Sequence, residues 1–316
     1  MKTILVSYRI SLTNKVSEKQ ILSRFNGEDD LLNTINDYCD YIHRNIVSYT
    51  DSTGNLRTFT LDGLQTLNND NRNLYGYFDS AYTGEKLKIK EGVTNDILFN
   101  VGERDLQSRN FFFYIDVPSG AKYAYVVIQK KSNHAIKGVL ENSFNDFLKF
   151  KGFLDYRVKL EYAPDYFLLN RMLEFGDLKE IKLIRKALFS TFEEQLLSEG
   201  TPNPGVFERI LRFNSDSLTV DYKNVLYRLY RERYLDYQQV QVFNESFDEV
   251  SFVLSLDSRD KTFYVKDKSK IRSNIDVTSL VEYSDGEPTL ESLIRVSVEI
   301  IRSSNSSSGD SDSVAA

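Results

Sequence analysis

Residues Arg109 to Phe150 read RNFFFYIDVPSGAKYAYVVIQKKSNHAIKGVLENSFNDFLKF and predict the centre of the fold. It contains two short apolar runs, Phe111–Val117 and Tyr123–Ile128, and the turn-forming residues Pro118–Gly120 lie between them. Apolar runs of this length, joined by a tight turn, predict a hairpin of buried strands. After Gly138 the apolar residues recur at helical spacing. The stretch therefore predicts a strand, a turn, a second strand, a basic loop and a helix.

The same patterns continue on both sides of this stretch. Before it, a first strand, a helix with an acidic first turn and a meander of short strands predict an antiparallel sheet with helices. After it, the alternating run YRVKLEY at Tyr156–Tyr162 and several mixed helix and strand patterns predict a second set of elements. We therefore expect an α+β fold, with antiparallel sheets and packed helices in two domains, 1–152 and 153–302. The Ser- and Asp-rich residues 303–316 predict a disordered tail.

Composition and charge limit the classes of protein to which this chain can belong. Of the 316 residues, 41% are hydrophobic and 27% are charged, which is typical of a globular chain with a real core. Cys39 is the only cysteine, so no intramolecular disulfide can form, and a reducing cytoplasm is expected. The N-terminus resembles a strand rather than a signal peptide, and no window approaches the ~20 apolar residues of a membrane helix. The net charge of −6 predicts no general attraction to nucleic acid, so binding to nucleic acid would depend on a local basic face.

The first candidate binding surface is the basic loop after the second apolar run. It leads from a central strand to a helix N-terminus, where free backbone N–H groups favour anions. Phosphate could be bound there by polar and basic side chains, namely Lys130, Lys131, Ser132, Asn133, His134 and Lys137. The alternative is an ordinary surface loop, and a single histidine is poor support for catalysis.

The second candidate is the aromatic and basic helix YKNVLYRLYRERYLDY at Tyr222–Tyr237. Arg228 and Arg231 are three residues apart and share a helix face, and Arg233 lies further round. Tyrosine beside arginine suits a phosphate backbone with stacked bases. The alternative is a solvated helix face on which neighbouring acids partly neutralise the arginines.

One arrangement has the letters of a metal-dependent nuclease: Pro164-Asp165 is followed by Glu180-Ile181-Lys182. In such a site two carboxylates hold Mg²⁺, and the lysine stabilises the attacking water. Acid-x-Lys triplets also arise by chance in a chain this charged, so Asp165, Glu180 and Lys182 form only an alternative catalytic set. Otherwise we predict no catalytic residue, metal site or cofactor, because two histidines and one cysteine cannot form a Cys/His zinc site and no nucleotide-binding or hydrolase motif is present.

The order of the predicted elements resembles that of the RexA-type phage-exclusion proteins carried by prophages. The parallel rests on the pair ending in YAYVVIQKK, the helix GVLENSFNDFL, the strand YRVKLEY, and the late run FDEVSFVLSLDSRDKTFYV before TLESLIRVSVEII. KwaB of the Kiwa defence system is a further protein of similar length and role. Either resemblance implies a cytoplasmic, homodimeric DNA-binding sensor of phage infection that works with a neighbour-encoded membrane protein. It transfers no DNA-contact residue to this chain.

Three hypotheses follow from these observations. The first is an anti-phage or phage-exclusion protein that binds nucleic acid, most simply DNA, through the basic loop and the Tyr/Arg helix. The second is the Mg²⁺-dependent nuclease. The third is a non-catalytic scaffold whose contacts are all with proteins.

Overall fold

The computed structural model describes residues 2–50, 54–131, 134, 136–164, 166–187, 205–213, 220–231, 241–242, 245–246, 248–256, 259–265 and 274–305. The chain forms two compact units. The first unit comprises Met1–Ala163 together with Asn274–Ile301, and the second comprises Pro164–Ser273 and Arg302–Gly309. Helices and antiparallel sheets together confirm the predicted α+β class.

The first unit begins with strands and two helices that alternate along the chain. Their bounds are β1 (Ile4–Thr13), a 3-10 helix (Leu22–Arg24), α1 (Leu31–Arg44), β2 (Val47–Thr50), β3 (Leu56–Asn68), β4 (Asn73–Tyr82), β5 (Leu87–Lys90), β6 (Ile97–Val101), β7 (Gln107–Asp116), β8 (Ala124–Lys130), α2 (Lys137–Phe150) and β9 (Arg157–Tyr162). The 3-10 helix buries Leu22 between β1 and α1 in the chain.

After β9 the chain forms the second unit and then returns to the first unit. The bounds are α3 (Tyr166–Phe175), β10 (Asp177–Ala187), β11 (Gly205–Arg212), α4 (Val220–Arg231), β12 (Gln241–Val242), β13 (Glu245–Ser246), β14 (Glu249–Leu256), β15 (Arg259–Tyr264), β16 (Asn274–Asp276), β17 (Tyr283–Ser284), β18 (Glu287–Pro288) and α5 (Leu290–Asn305). In the second unit, β11, β10, β14 and β15 form an antiparallel sheet in that order.

The predicted hairpin is confirmed and occupies the centre of the main sheet. Among the described residues this sheet has the order β16-β1-β8-β7-β4-β3-β2, and β9 also pairs with β1. Phe113 lies opposite Ile128, and Asp116 lies opposite Tyr125, so β7 and β8 are antiparallel neighbours. Buried partners on both sides explain why the two runs are apolar at nearly every position.

The two faces of the main sheet bury different sets of side chains. On the first face, Phe111, Phe113 and Ile115 belong to one hydrophobic cluster with buried residues of α1 and α2. Because side chains alternate along a strand, Phe112 and Tyr114 lie on the opposite, second face, where they are also buried. Buried apolar residues of the C-terminal segment, including Leu293 and Val296, belong to the same unit.

The boundary between the units differs from the one expected at 152/153. β9 pairs with β1 from Tyr8↔Tyr162 to Thr13↔Arg157, which keeps the chain in the first unit up to Ala163. The segment from Asn274 returns to the other part of β1 and pairs Leu5 with Ile275. The predicted second domain thus contains strands and a helix that cluster with the first unit. The predicted tail, 303–316, has its first three residues in α5, and its residues from 306 onward lie outside the described part.

One hairpin of the first unit carries large apolar residues at its surface. β5 and β6 form a separate two-stranded ribbon that is exposed along nearly its whole length. Ile89 lies opposite Phe99, and both are about half exposed. The ribbon therefore adds little to the core of the unit.

Candidate nucleic-acid interface

The two lysines that end the central hairpin lie on opposite faces of the sheet. Side chains alternate along β8, so Lys130 shares the first face with Ile128, and Lys131 continues the second face after Gln129. The Lys130 Nζ lies 3.5 Å from the Asn274 Oδ1. The Lys131 Nζ lies 3.5 Å from the Glu287 Oε2. The two predicted lysines therefore leave the strand on opposite faces and contact different partners.

His134 packs against an aromatic residue at the end of β4. Its ring stacks on that of Tyr82 with 4.6 Å between the ring centroids, and its Nε2 lies 3.2 Å from the Tyr82 hydroxyl. Ser132 and Asn133, which the sequence places in the same binding loop, lie outside the described residues. The stacking on Tyr82 fixes the position of the His134 ring, although His134 lies in a loop.

Two arginines contact the same tyrosine from neighbouring strands. Arg57 lies directly opposite Tyr82 in the β3–β4 pairing, and its guanidinium carbon lies 4.9 Å from the ring centroid. Arg109 on β7 lies 5.5 Å from that centroid, and its Nη1 donates to the Tyr82 hydroxyl over 3.0 Å. Glu85 accepts from this hydroxyl over 3.3 Å. We call these residues, Arg57, Tyr82, Glu85, Arg109 and His134, the Tyr82 cluster.

The Tyr82 cluster is electropositive. Burial lowers the pKa of His134, and the nearby charges of Arg109 and Arg57 lower it further, whereas Glu85 opposes them. A lowered pKa keeps the imidazole neutral at physiological pH. An anion placed between the arginines would reverse their effect and favour the imidazolium. The cluster can therefore bind a phosphate or carboxylate group through cationic N–H donors.

Sequence reasoning identified only His134 in this cluster. Arg57, Tyr82 and Arg109 are far apart along the chain and come together through strand register. The pairs Arg57↔Tyr82 and Ser80↔Arg109 put all three side chains on one face near the same end of the strands. Alternation within each strand could have assigned the face, but no local pattern shows which strands are neighbours.

Lys137 and the start of α2 lie next along the chain from His134. The Lys137 Nζ is 3.9 Å from Glu141 and 6.0 Å from the centre of the Tyr162 ring. The N-cap residue of α2, Ile136, provides no side-chain hydrogen bond to the first turn. Uncapped N–H groups at a helix N-terminus add to the positive potential beside His134.

The Tyr/Arg helix, the second sequence candidate, belongs to the other unit. In α4, Leu226 and Tyr230 are buried, whereas Val225 and Arg228 are exposed. Arg231 is the last residue of α4, and the structure describes its backbone only. Arg233 lies outside the described residues. Arg228 is thus the one predicted arginine with a described side chain.

The nuclease residues are only partly described. Asp165 lies outside the described residues. Glu180 and Lys182 share one face of β10, where the Glu180 Oε2 lies 3.5 Å from the Arg212 Nε and the Lys182 Nζ lies 2.6 Å from the Glu208 Oε2. Both side chains are therefore engaged in cross-strand ion pairs with β11.

The described part of the chain contains neither a metal-binding group of side chains nor a membrane-spanning helix. Among those residues, no group of three or more His, Cys, Asp or Glu side chains could hold a metal ion. None of the helices described is both long and apolar enough to cross a bilayer.

The chain was compared with known families and curated proteins. No protein-family model matches it, and no curated protein sequence matches it.

Proposed function

We propose that this protein binds nucleic acid, with the Tyr82 cluster as a contact for the phosphate backbone. The observation that carries the proposal is the convergence of Arg57 and Arg109 on one tyrosine ring that also stacks on His134. Guanidinium groups are the preferred partners of phosphate oxygens, and aromatic rings beside them suit unstacked bases.

The arginines are well placed for this role because their geometry is held in advance. The Arg109 Nη1 is already bonded to the Tyr82 hydroxyl, so less side-chain freedom is lost when the remaining N–H groups bind an anion. In the described residues Arg109 forms no ion pair with an acid. Phosphate can therefore supply the opposite charge.

A binding assay with fluorescent DNA and RNA, single- and double-stranded, tests the proposal. At ~50 mM salt we expect binding that weakens steeply as salt increases, since phosphate contacts release counterions. Arg109→Ala and Arg57→Ala should each weaken binding by about tenfold, or about 1.4 kcal/mol. Each should also reduce the slope of log affinity against log salt by about one unit.

The matched control is Lys149→Ala. Lys149 is also cationic, lies at the end of α2 and pairs with Asp146 over 2.9 Å. This variant should bind as tightly as the native protein. If native protein binds none of the four nucleic acids at low salt, or if all three variants weaken it equally, nucleic-acid binding through the Tyr82 cluster is wrong.

The biological role that we propose is phage exclusion in the cytoplasm of a bacterium that carries the gene in a prophage. Its support is the order of elements, which resembles the RexA-type proteins. The proposal includes DNA as the nucleic acid, a homodimer, and a membrane protein encoded by a neighbouring gene as the effector. Deletion of the gene from its host should increase phage plaque numbers, and Arg109→Ala should reproduce the deletion. Equal plaque numbers with and without the gene, across a panel of phages, would contradict this role.

A further inference from the structure

An open cleft of about 1000 Å³ lies beside the main sheet and is lined by residues of its second face together with a few of the first face, such as Lys130. Its wall is made by five strands of the sheet and by the segment that begins α5, all within the first unit. The residues that line it are Lys2, Thr3, Ile4, Asp62, Tyr77, Ser108, Arg109, Asn110, Gln129, Lys130, Lys131, Glu287, Pro288 and Leu293. Arg109 is shared with the Tyr82 cluster, since its guanidinium contacts Tyr82. The other members of that cluster do not line the cleft.

One end of the cleft carries a cation whose partner can be replaced. The Lys131 side chain is 21% exposed, and the Glu287 side chain that it meets at 3.5 Å is 57% exposed. A long ion pair with one well-solvated member contributes little to stability. Glu287 therefore holds the position that an external anion would take.

Glu287 reaches this position on a small hairpin. β17 and β18 pair through a two-residue turn at Asp285 and Gly286, both with positive φ (51° and 81°). Such turns match the twist of the strands and are short and self-contained. The hairpin is held at the sheet by the Tyr283 hydroxyl, which lies 2.7 Å from the Thr3 Oγ1, but Glu287 itself is exposed, so its side chain can rotate away from Lys131 with the backbone in place.

The other end of the cleft carries neutral and acidic hydrogen-bonding groups. Asn110 donates to Asp62, so an amide and a carboxylate lie side by side on β7 and β3. Tyr77, opposite Asp62 in the β3–β4 pairing, places a partly exposed ring beside them. Burial raises the pKa of Tyr77, and the Glu287 and Glu291 carboxylates raise it further, so this end of the cleft lies within electrostatic reach of Glu287. An amide with a carboxylate offers both donors and acceptors to the edge of a base, and a tyrosine ring offers a surface for stacking.

Gln129 lies between the two ends. It is 5% exposed, and its Oε1 accepts from the Phe112 backbone N–H at 3.5 Å. Its amide nitrogen has no hydrogen-bond acceptor among the described residues. This amide nitrogen can donate to a polar ligand in the cleft.

The dimensions fit a ligand with a base at one end and phosphate at the other. Lys131 follows β8 and Asp62 lies on β3, three strand positions away in the sheet order. At about 4.8 Å per strand this corresponds to roughly 14 Å. The volume is at the upper limit of small-molecule sites, ~1,000 Å³.

We propose that this cleft binds a mononucleotide, with its base at Tyr77, Asp62 and Asn110 and its phosphate at Lys131 in place of Glu287. The inference does not depend on nucleic-acid binding at the Tyr82 cluster.

Calorimetric titration of the full chain with ATP, GTP, CTP and UTP tests the proposal. We expect at least one of them to bind with a dissociation constant below ~1 mM, as a site with one charged contact and one stacked base allows. Lys131→Ala should weaken that binding by about tenfold, because it removes the charge at the phosphate. Glu287→Gln should strengthen it by a few-fold, because it removes the competing carboxylate.

Opposite effects of these two variants separate a phosphate site from a general loss of structure. The controls are Lys86→Ala and Glu103→Gln, which change an exposed ion pair of 3.1 Å next to the β5–β6 ribbon and should leave affinity unchanged. Thermal unfolding of each variant confirms that the fold is kept. Arg57→Ala should also leave nucleotide affinity unchanged even if it weakens nucleic-acid binding, which keeps the two proposals distinguishable.

Three results would overturn the proposal. The first is no binding of any nucleoside triphosphate at 5 mM. The second is a native-like affinity in the Lys131→Ala protein, or a weaker affinity in Glu287→Gln. The third is that inorganic triphosphate binds as tightly as the best nucleotide, since the base would then contribute nothing.

Discussion

At the scale of single residues, Asp116 is partly buried, which disfavours the charged form of its carboxyl group. Burial at the end of β7 raises its pKa to about 6, although Arg72 opposes the change. The folded state therefore holds the proton more tightly than the unfolded chain, whose Asp pKa is about 3.9. Its contribution to stability is full below about pH 4 and is lost as the pH rises through 6.

This shift predicts how Asp116→Asn changes stability. At pH 8 the variant should gain about 1 kcal/mol in free energy of unfolding, a value reduced for the partial exposure of the carboxylate. At pH 4 the gain should disappear, because the native Asp116 is then protonated. Urea unfolding at both pH values measures the difference. The same change in stability at pH 4 and pH 8 would show that the charge of Asp116 is not its cause.

Tyr38 and Ser143 form a buried hydrogen bond between α1 and α2. Their oxygens are 2.6 Å apart, and Ser143 also donates to the Val139 carbonyl over 2.7 Å. Burial strongly raises the pKa of Tyr38, so its hydroxyl stays protonated. Because Ser143 donates its one proton to Val139, the Tyr38 hydroxyl is the donor to Ser143. Tyr38→Phe leaves Ser143 bonded to Val139 and should cost about 1 kcal/mol.

Ser143→Ala leaves the Tyr38 hydroxyl buried without an acceptor, so it should cost more, about 2 kcal/mol. The double variant should cost less than the sum of the two, because the unpaired hydroxyl is then absent. Urea unfolding of all four proteins completes the cycle. Additive costs would mean that the two hydroxyl groups do not interact in solution.

At the scale of elements, the start of α1 is joined to two turns by one carboxylate. Asp30 caps the helix by accepting from the Leu32 N–H over 2.9 Å, and it accepts two bonds from Arg72 at 2.8 and 2.9 Å. The Arg72 Nε donates to the Val117 carbonyl over 2.7 Å, next to the turn between β7 and β8. Asp30 therefore holds three segments together.

Two substitutions of Asp30 separate the contribution of the helix cap to stability from that of the ion pair with Arg72. Asp30→Asn can still cap the helix but loses the charge, and we expect a cost of about 1–2 kcal/mol for this largely buried pair. Asp30→Ala loses both and should cost about 1 kcal/mol more. Thermal and urea unfolding test the order. Equal costs would show that the side-chain cap does not contribute.

Because the ribbon of β5 and β6 is exposed, we predict that the protein stays folded when this ribbon is removed. Replacing residues 87–101 by a short Gly/Ser turn removes side chains that contribute little to the core. The midpoint of thermal unfolding should change by no more than ~3 °C, the effect of less than 1 kcal/mol. A larger fall would mean that the apolar face of the ribbon is covered in solution. Leu98→Ser alone, at a side chain that is 64% exposed, is the milder comparison.

At the scale of the whole molecule, the first unit is discontinuous in sequence. The Val277 N–H donates to the Thr3 carbonyl, and the Thr3 N–H donates to the Thr278 hydroxyl, each over 3.0 Å. With the β1–β16 pairing, these bonds tie the C-terminal segment to the first strand. A chain ending at Ala163 would lack this segment and would expose buried residues such as Leu5.

This arrangement predicts that the fragment 1–163 fails to fold. A chain that keeps 1–163 and 274–305, joined by a flexible linker, should fold and show a cooperative transition. Circular dichroism and amide exchange of the two proteins give the comparison. Cooperative folding of 1–163 alone would show that the C-terminal segment is not needed by the first unit.

Local information in the sequence was sufficient for several features of this protein. Phe111–Val117 and Tyr123–Ile128 predict their hairpin because the apolar runs and the turn between them lie within one short stretch. The periodicity of α1, α2 and the last helix likewise identifies their buried faces, since helical contacts are close in sequence. The α+β class follows from these elements.

Other features depend on contacts that no local pattern encodes. The Tyr82 cluster needs β3, β4 and β7 to be neighbours in a particular register, and the sequence suggested only His134. The divergence of Lys130 and Lys131 follows from strand alternation once β8 is seen to extend to Lys130. The return of Asn274–Ile301 to β1 joins residues more than 260 positions apart, as Thr3 and Thr278 show. Such pairings are chosen by the packing of the whole unit, because each strand could meet several partners and only the assembled core distinguishes them.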